Sequence, residues 1–410
     1  MRINPRWRGW LPQIDAPLTL AAVGLVAIGL ATVFSATWGP SEHQGLWVRQ
    51  LVWALVAGGA AWLVASIHYR AYDSLAYPIY VISLVFLGLV LVMGTSAYGA
   101  RRWMELGPLK FQPSEIAKIA TVLVLARRFD DPKRDLRKLR HWFPALALTL
   151  VPFALVAKEP DLGTSLSFPV ILVVMYFWAG MPIGNLLLGL TPVFNVLLFF
   201  TTGTLWWFAG LLAGLLAFTR PRITTLLTVL VLNGAVAYAM PHLWNHLADY
   251  QKRRIETFLN PDHDPSGAGY QIIQSKIAIG SGGMLGKGVL RGTQKALAFL
   301  PMGHTDFIFS VVGEELGLLG ALTVVVLYAL LVVRGYRLAM VARNGFASLM
   351  AAGLVTALFF HVMVNMLMTI GWAPVTGLPL PLISYGGTAL IVNGIQIGLL
   401  QNVALRRQEF

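Results

Sequence analysis

The 410-residue chain contains no cysteine, which excludes disulfides, thiolate metal sites and a cysteine nucleophile together and leaves the redox compartment unread. Charge is scarce as well. Lysine, arginine, aspartate and glutamate make up 12% of the residues against 57% hydrophobic ones, and a mean hydropathy of +0.68 is too high for a soluble domain. Two catalytic signatures are also missing, G-x-S-x-G and H-E-x-x-H, and His304 has no second histidine at ligand spacing, so zinc is not expected. What is there is an integral membrane protein. Its net charge of +13 is read as lysine and arginine retaining loops on one side of a bilayer, with no nucleic-acid partner.

A helix rises about 1.5 Å per residue, so about 20 apolar residues cross the hydrocarbon core. Twelve such segments are expected, at approximately 17–36, 47–67, 76–93, 114–127, 143–158, 163–179, 184–201, 203–218, 222–241, 307–335, 346–370 and 384–404. The fold expected is an all-α polytopic membrane helix bundle, one domain over 1–410, with about twelve transmembrane helices and a large extracytoplasmic loop over 242–306. The first segment follows Arg2, Arg6 and Arg8 and reads as a retained anchor, because its apolar run is long and more spans follow.

Basic residues set the expected orientation. Arg127, Arg128, Lys133, Arg134, Arg137, Lys138 and Arg140 crowd one short loop, Arg220 and Arg222 a second, and Arg334, Arg337 and Arg343 a third. With twelve spans these loops and both termini share the cytoplasmic side, Arg406 and Arg407 included. The outer side is nonetheless basic, through Arg101, Arg102, Lys110, Lys252, Arg253, Arg254, Lys276, Lys287, Arg291 and Lys295. These groups are either merely solvated or face an anionic ligand; Arg101 and Arg102 favour the second, since they sit in a short loop beside Trp103.

Inside the outer loop, NPDHDPSGAGYQIIQSKIAIGSGGMLGKG (260–288) is polar and glycine-rich. It fails as a Walker A motif, because Ser281 stands where the first glycine belongs and Gly288 where the hydroxyl belongs. Its glycines would still let backbone N–H groups approach a lipid headgroup. Asp262 and Asp264 form a D-x-D spacing that could hold a divalent cation, without a complete ligand set, and Asp264 before Pro265 equally suits the start of a helix. Glu115 and Lys118, three apart on one helix face, read as a pair within the membrane, structural or functional alike. Asp161 reads as a helix cap.

Five ordered blocks carry a resemblance: GARRWMELGPLKFQPSEIAKIA (99–120), EPDLGTS (159–165), DPSGAGYQIIQSKIAIGSGGMLGKG (264–288), FLPMGHTDFIFSVVGEELG (299–317) and GLPLPLISYGGTALI (377–391). Together they resemble the SEDS family of shape, elongation, division and sporulation proteins, in its elongation branch. The resemblance implies a peptidoglycan glycosyltransferase that polymerises lipid II at the outer face of the bacterial cytoplasmic (inner) membrane. It also implies a class B penicillin-binding protein transpeptidase as partner and a role in rod shape. The family pattern has ten spans, so the region 181–240 is expected to carry an extra helical hairpin, and Glu159 stands where the family often has glutamine.

The resemblance assigns Asp264 the role of catalytic base. Strand extension needs a carboxylate to take a sugar hydroxyl proton and cations to stabilise the departing pyrophosphate. Arg49, Arg101, Arg102 and Lys118 are the substrate-binding candidates, followed by Lys276 and Lys287; Glu115 orients Lys118, and Trp103 packs on a sugar or a polyprenyl chain or anchors at the interface. A lipid II flippase, which would use the same intramembrane charges, and a noncatalytic scaffold for the transpeptidase are the competing readings. No cofactor is certain, and a divalent cation at Asp262 or Asp264 is the only one considered.

Overall fold

The computed structural model describes residues 14–38, 45–97, 100–106, 109–131, 135–136, 138–199, 205–219, 221–246, 252, 268–293 and 302–407. A helix forms at each of the twelve expected segments. In chain order these begin with α1 (Ala16–Ala36), α2 (Leu46–Ser66) and α3 (Tyr69–Met93). After a short ribbon, β1 (Thr95–Ala97), β2 (Ala100–Leu106) and β3 (Leu109–Phe111), come α4 (Pro113–Phe129), α5 (Trp142–Lys158) and α6 (Leu162–Trp178). They are followed by α7 (Ile183–Phe199), α8 (Leu205–Thr219), α9 (Ile223–His246), α10 (Ala268–Ser281), α11 (Ile308–Val341), α12 (Gly345–Thr369) and α13 (Gly387–Leu405). Among the described residues, seven of these helices are long and apolar enough to cross a membrane by themselves. The chain is a multi-pass membrane protein. Of the α-helices α1 to α13, α10 is the one outside the twelve segments, and it lies within the polar loop.

Apolar outer surface and small residues inside follow from the lipid solvent, where close packing and hydrogen bonds hold helices together in place of a hydrophobic drive. Gly394 and Gly398 of α13 lie where an added Cβ would meet the Ala57 carbonyl oxygen at 2.6 Å and the Ala61 carbonyl oxygen at 2.4 Å. Contact this close between α13 and α2 excludes any side chain. The enclosed centre is α12, buried along most of its length, with α4, α6, α11 and α13 around it. By contrast α7, α8 and α9 pack chiefly on one another. Their polar contact is Asn233, which donates to Thr191 Oγ1 at 2.8 Å and accepts at its backbone carbonyl from Asn195 Nδ2 at 2.9 Å.

Cross-chain contacts sort the helix ends onto two faces. On one, Arg334 near the end of α11 donates to both oxygens of Asp15, at 3.1 and 2.5 Å, and Asp15 caps α1. Gln401 of α13 donates to the Asp15 carbonyl, and Arg127 of α4 pairs with Asp73 of α3 at 3.2 Å. On the opposite face, Ser35 at the end of α1 meets Glu315 of α11, and Gln50 of α2 bridges Ser384 and Gly386 before α13. The ribbon lies on this second face. Below, the two are called the arginine face and the ribbon face.

Two expectations change in detail. The short connection carrying Arg101, Arg102 and Trp103 is an antiparallel ribbon of order β1-β2-β3, with Thr95 opposite Trp103 and Met104 opposite Phe111. The glycine-rich segment is not open to a headgroup along its backbone. Helix α11 breaks at Gly317 (φ 67°), and the groups freed there are taken by residues 283–288: Lys287 N–H donates to the Glu314 carbonyl, Gly288 N–H to that of Glu315, and Leu318 N–H to that of Gly283. Glycine is required because an added Cβ would lie 2.0 Å from the Gly313 carbonyl oxygen at Gly282 and 2.1 Å from the Glu315 carbonyl oxygen at Gly286.

Candidate functional site

Three polar clusters gather at the ribbon face. The first joins the ribbon to the turn between α5 and α6. Arg102 donates through Nε to the Glu159 carbonyl at 3.3 Å and through its terminal nitrogen to that of Pro160, while a second terminal nitrogen stands 3.9 Å from Asp161. Asp161 is the expected cap: its Oδ1 accepts from Thr164 N–H at 3.1 Å, and its Oδ2 from Thr164 Oγ1 at 2.9 Å and Gln112 Nε2 at 3.1 Å. Thus the RRW, FQPSE and EPDLGT blocks, 57 positions apart at the Arg102–Glu159 contact, close on one another.

Glu159 is fully buried there, with no hydrogen-bond partner for either carboxylate oxygen. Burial, then the neighbouring Asp161, push its pKa up to about 8, and Arg102 opposes them. Glu159 is therefore largely protonated at neutral pH, in chemical kinship with the glutamine expected at this position.

The second cluster lies one turn along α4. Lys118, 2% exposed, donates to Glu115 Oε1 at 2.8 Å, so the expected pair forms. Its ammonium also lies 2.7 Å from His361 Nε2 on α12, a partner missed in the sequence. An ammonium has no acceptor, so Nε2 supplies the lone pair and the imidazole is neutral, with its proton on Nδ1. Nothing in sequence spacing links positions 118 and 361; only packing of α4 on α12 does.

The third cluster fixes the glycine-rich segment. Lys287 pairs with Glu314 Oε1 at 2.7 Å, and the same oxygen accepts from Thr293 N–H at 2.7 Å and Thr293 Oγ1 at 2.9 Å. Beside it Ser35 donates to Glu315 Oε1 at 2.6 Å. Glu314 and Glu315 are both buried, and Lys287 serves first as the counter-charge of a buried carboxylate. Lys276 is exposed on α10, whose Ser275 donates to the Thr369 carbonyl at 2.6 Å and so ties the helix to the end of α12.

The remaining candidates are placed as follows. Arg49 is exposed at the ribbon-face end of α2, beside buried Gln50. Trp103 is half-buried in β2. Arg101 lies on the same strand, its side chain outside the described residues, and Asp262 and Asp264 fall outside them altogether. Among the described residues no group of three histidine, aspartate or glutamate side chains is placed to hold a metal ion. The last two sequence blocks meet around this face: Asn365 Nδ2 donates to the carbonyls of Asp306 (2.8 Å) and Leu378 (2.7 Å), and Ser384 Oγ to that of Thr305 (2.7 Å).

The described residues form a helical multi-pass membrane protein with one face that carries both cations and buried carboxylates. Comparison makes the class specific. The family model FTSW_RODA_SPOVE, described as cell cycle protein, matches residues 14–206 and 190–409. The chain is 39% identical over 401 residues to the peptidoglycan glycosyltransferase MrdB of Escherichia coli (strain K12), covering 97% of this chain and 95% of that one. It is 35% identical over 406 residues to the probable peptidoglycan glycosyltransferase FtsW of Geobacter metallireducens, covering 97% and 96%. Among solved structures it resembles a chain of a peptidoglycan synthase complex that coordinates polymerization and crosslinking, with a TM-score of 0.75, 32% identity and coverage of 97% and 99%. It also resembles the Thermus thermophilus rod shape determining protein RodA, with a TM-score of 0.64, 29% identity and coverage of 99% and 100%. The chain belongs to the FtsW, RodA and SpoVE family of cell cycle proteins.

Proposed function

We infer that this chain is a peptidoglycan glycosyltransferase that polymerises lipid II into glycan strands, with undecaprenyl pyrophosphate leaving, for cell elongation and rod shape. The observation that supports the mechanism is the convergence of Arg102, Asp161, Glu115 and Lys118 at one face. In the step proposed, a sugar hydroxyl oxygen of one saccharide attacks the anomeric carbon of the other. The new C–O bond forms as the bond to pyrophosphate breaks, the bonding pair stays on the phosphate oxygen, and Asp264 takes the hydroxyl proton. One base and no covalent sugar intermediate fit inversion from an α-linked donor to a β-linked polymer.

Within that scheme Arg49, Arg101 and Arg102 attract the pyrophosphate. Lys118, neutralised by Glu115 and fixed by His361, is assigned to positioning α4 and the local field. Lys276 and Lys287 contribute field at longer range, because Lys287 is already engaged with Glu314. Trp103 packs on sugar or prenyl chain. The ribbon face is taken as extracytoplasmic and the arginine face, with both termini, as cytoplasmic, on the distribution of loop arginines. Residues 242–306 form the extracytoplasmic loop. The region 181–240 holds the extra hairpin, a reading supported by the division of the family match and by the way α7 to α9 pack on one another. A class B penicillin-binding protein is the proposed partner, as the likeness to a synthase complex suggests.

The test is reconstitution in liposomes with labelled lipid II, with and without the transpeptidase. Glycan strands are expected. Passage of intact lipid II between leaflets without strand formation would replace the polymerase reading with the flippase.

A further inference from the structure

We propose that the tip of the glycine-rich segment, Met284 to Leu290, is inserted among the lipid acyl chains of the leaflet on the ribbon-face side, although it belongs to the polar loop. Backbone contacts set its depth. Leu318 N–H donates to the Gly283 carbonyl at 2.9 Å and Leu319 N–H to that of Met284 at 3.2 Å. From Arg334, whose pair with Asp15 marks the arginine-face end, back to Leu318, α11 rises about 24 Å at about 1.5 Å per residue, and any tilt lowers that height. Met284 therefore stands within a hydrocarbon core about 30 Å thick. On the other flank Leu290 N–H donates to Ser35 Oγ at 3.1 Å, and Ser35 lies about 30 Å along α1 from Asp15, at the edge of that core.

The side chains fit that depth. Met284 is 63% exposed and Leu285 78%, and Val289 and Leu290 are exposed as well. They continue the exposed apolar face of α11, formed by Leu318, Leu319, Leu322 and Val326 on a helix that crosses the membrane, so the tip adjoins a surface that already meets lipid. Lys287, the one charged residue between Met284 and Leu290, is engaged with buried Glu314. At the same end Phe34 lies 5.0 Å from Trp38 and 5.5 Å from Trp47 between ring centroids, and both tryptophans are exposed, as aromatic side chains are at headgroup level. Continuity with the lipid-facing helix favours lipid over a polypeptide as the occupant. The inference needs only a multi-pass chain and not a choice of which face is outside. Insertion holds the Lys287 and Glu314 cluster at the edge of the core.

The experiment labels the full chain at single cysteines, Met284→Cys or Leu285→Cys, with the environment-sensitive fluorophore NBD; the native chain has no other thiol. The protein is placed without partner in phosphatidylcholine nanodiscs, where both faces are open to solutes. Leu322→Cys on α11 is the lipid reference and exposed Arg140→Cys the water reference. Nitroxide carried on the acyl chains is expected to quench both tip labels as it quenches Leu322→Cys. Iodide is expected to quench them about tenfold less than Arg140→Cys, because an ion is excluded from hydrocarbon. Two tip sites keep the test open if one label disturbs folding, which the thermal transition reads. Iodide quenching equal to that of Arg140→Cys, or no quenching by acyl-chain nitroxide, in a folded tip variant overturns the proposal. So does protection from iodide that appears only when a class B penicillin-binding protein is added, which would make the tip a protein contact.

Discussion

Lys118 is held from two sides, by a carboxylate on its own helix and an imidazole on another, with almost no access to solvent. Removing one partner of such a pair leaves an uncompensated charge, at a cost of about 3–5 kcal/mol, whereas removing both costs less. Lys118→Met is therefore expected to lower thermal stability sharply, and Lys118→Met with Glu115→Gln to recover part of the loss; a double variant no better than the single one would contradict the pairing. Glu159 gives a pH signature. Its folded pKa of about 8 lies above the ordinary 4.5, so the folded chain holds the proton more tightly than the unfolded one. The stability it contributes is complete below about pH 4.5 and is lost as pH rises toward 8. Glu159→Gln is expected to flatten that part of the stability profile in detergent, and an unchanged slope would remove Glu159 as its source. The Glu115 pair was legible from its spacing alone. His361 was not, because a helix contact between distant positions leaves no mark on local periodicity.

At the level of elements, apolar length gave the helices and basic loops gave their alternation, since lipid permits little else for a spanning segment. The ribbon was hidden because two of its strands are 3 residues long and the third, ARRWMEL, does not alternate apolar with polar residues. The glycine-rich segment was visible, but its use was not: its glycines allow backbone to lie on backbone at the break in α11. Overpacking of this kind costs typically about 1–3 kcal/mol, and Gly286 adds a left-handed conformation (φ 81°). Gly286→Ala is expected to destabilise at least that much in thermal unfolding, whereas Gly280→Ala, where nothing lies within 4 Å, should be close to neutral. Equal effects would contradict the packing described.

For the whole molecule, the described polar clusters gather at the ribbon face, and Arg127, Arg334 and Arg406 lie at the opposite one. The native absence of cysteine makes the orientation directly testable, because any single introduced cysteine is the only thiol. Lys276→Cys is expected to react with an impermeant maleimide in intact spheroplasts, and Arg140→Cys only after lysis; both positions are exposed. The reverse pattern would invert the proposed topology. The central claim rests on the carboxylate of Asp264. The most direct measurement is lipid II polymerisation by the purified chain with its transpeptidase, wild type against Asp264→Asn at matched folding. Loss of a general base costs typically about 10²–10⁴-fold, so strands are expected from wild type and essentially none from the variant. Equal product from both would contradict the assignment of Asp264 as the base.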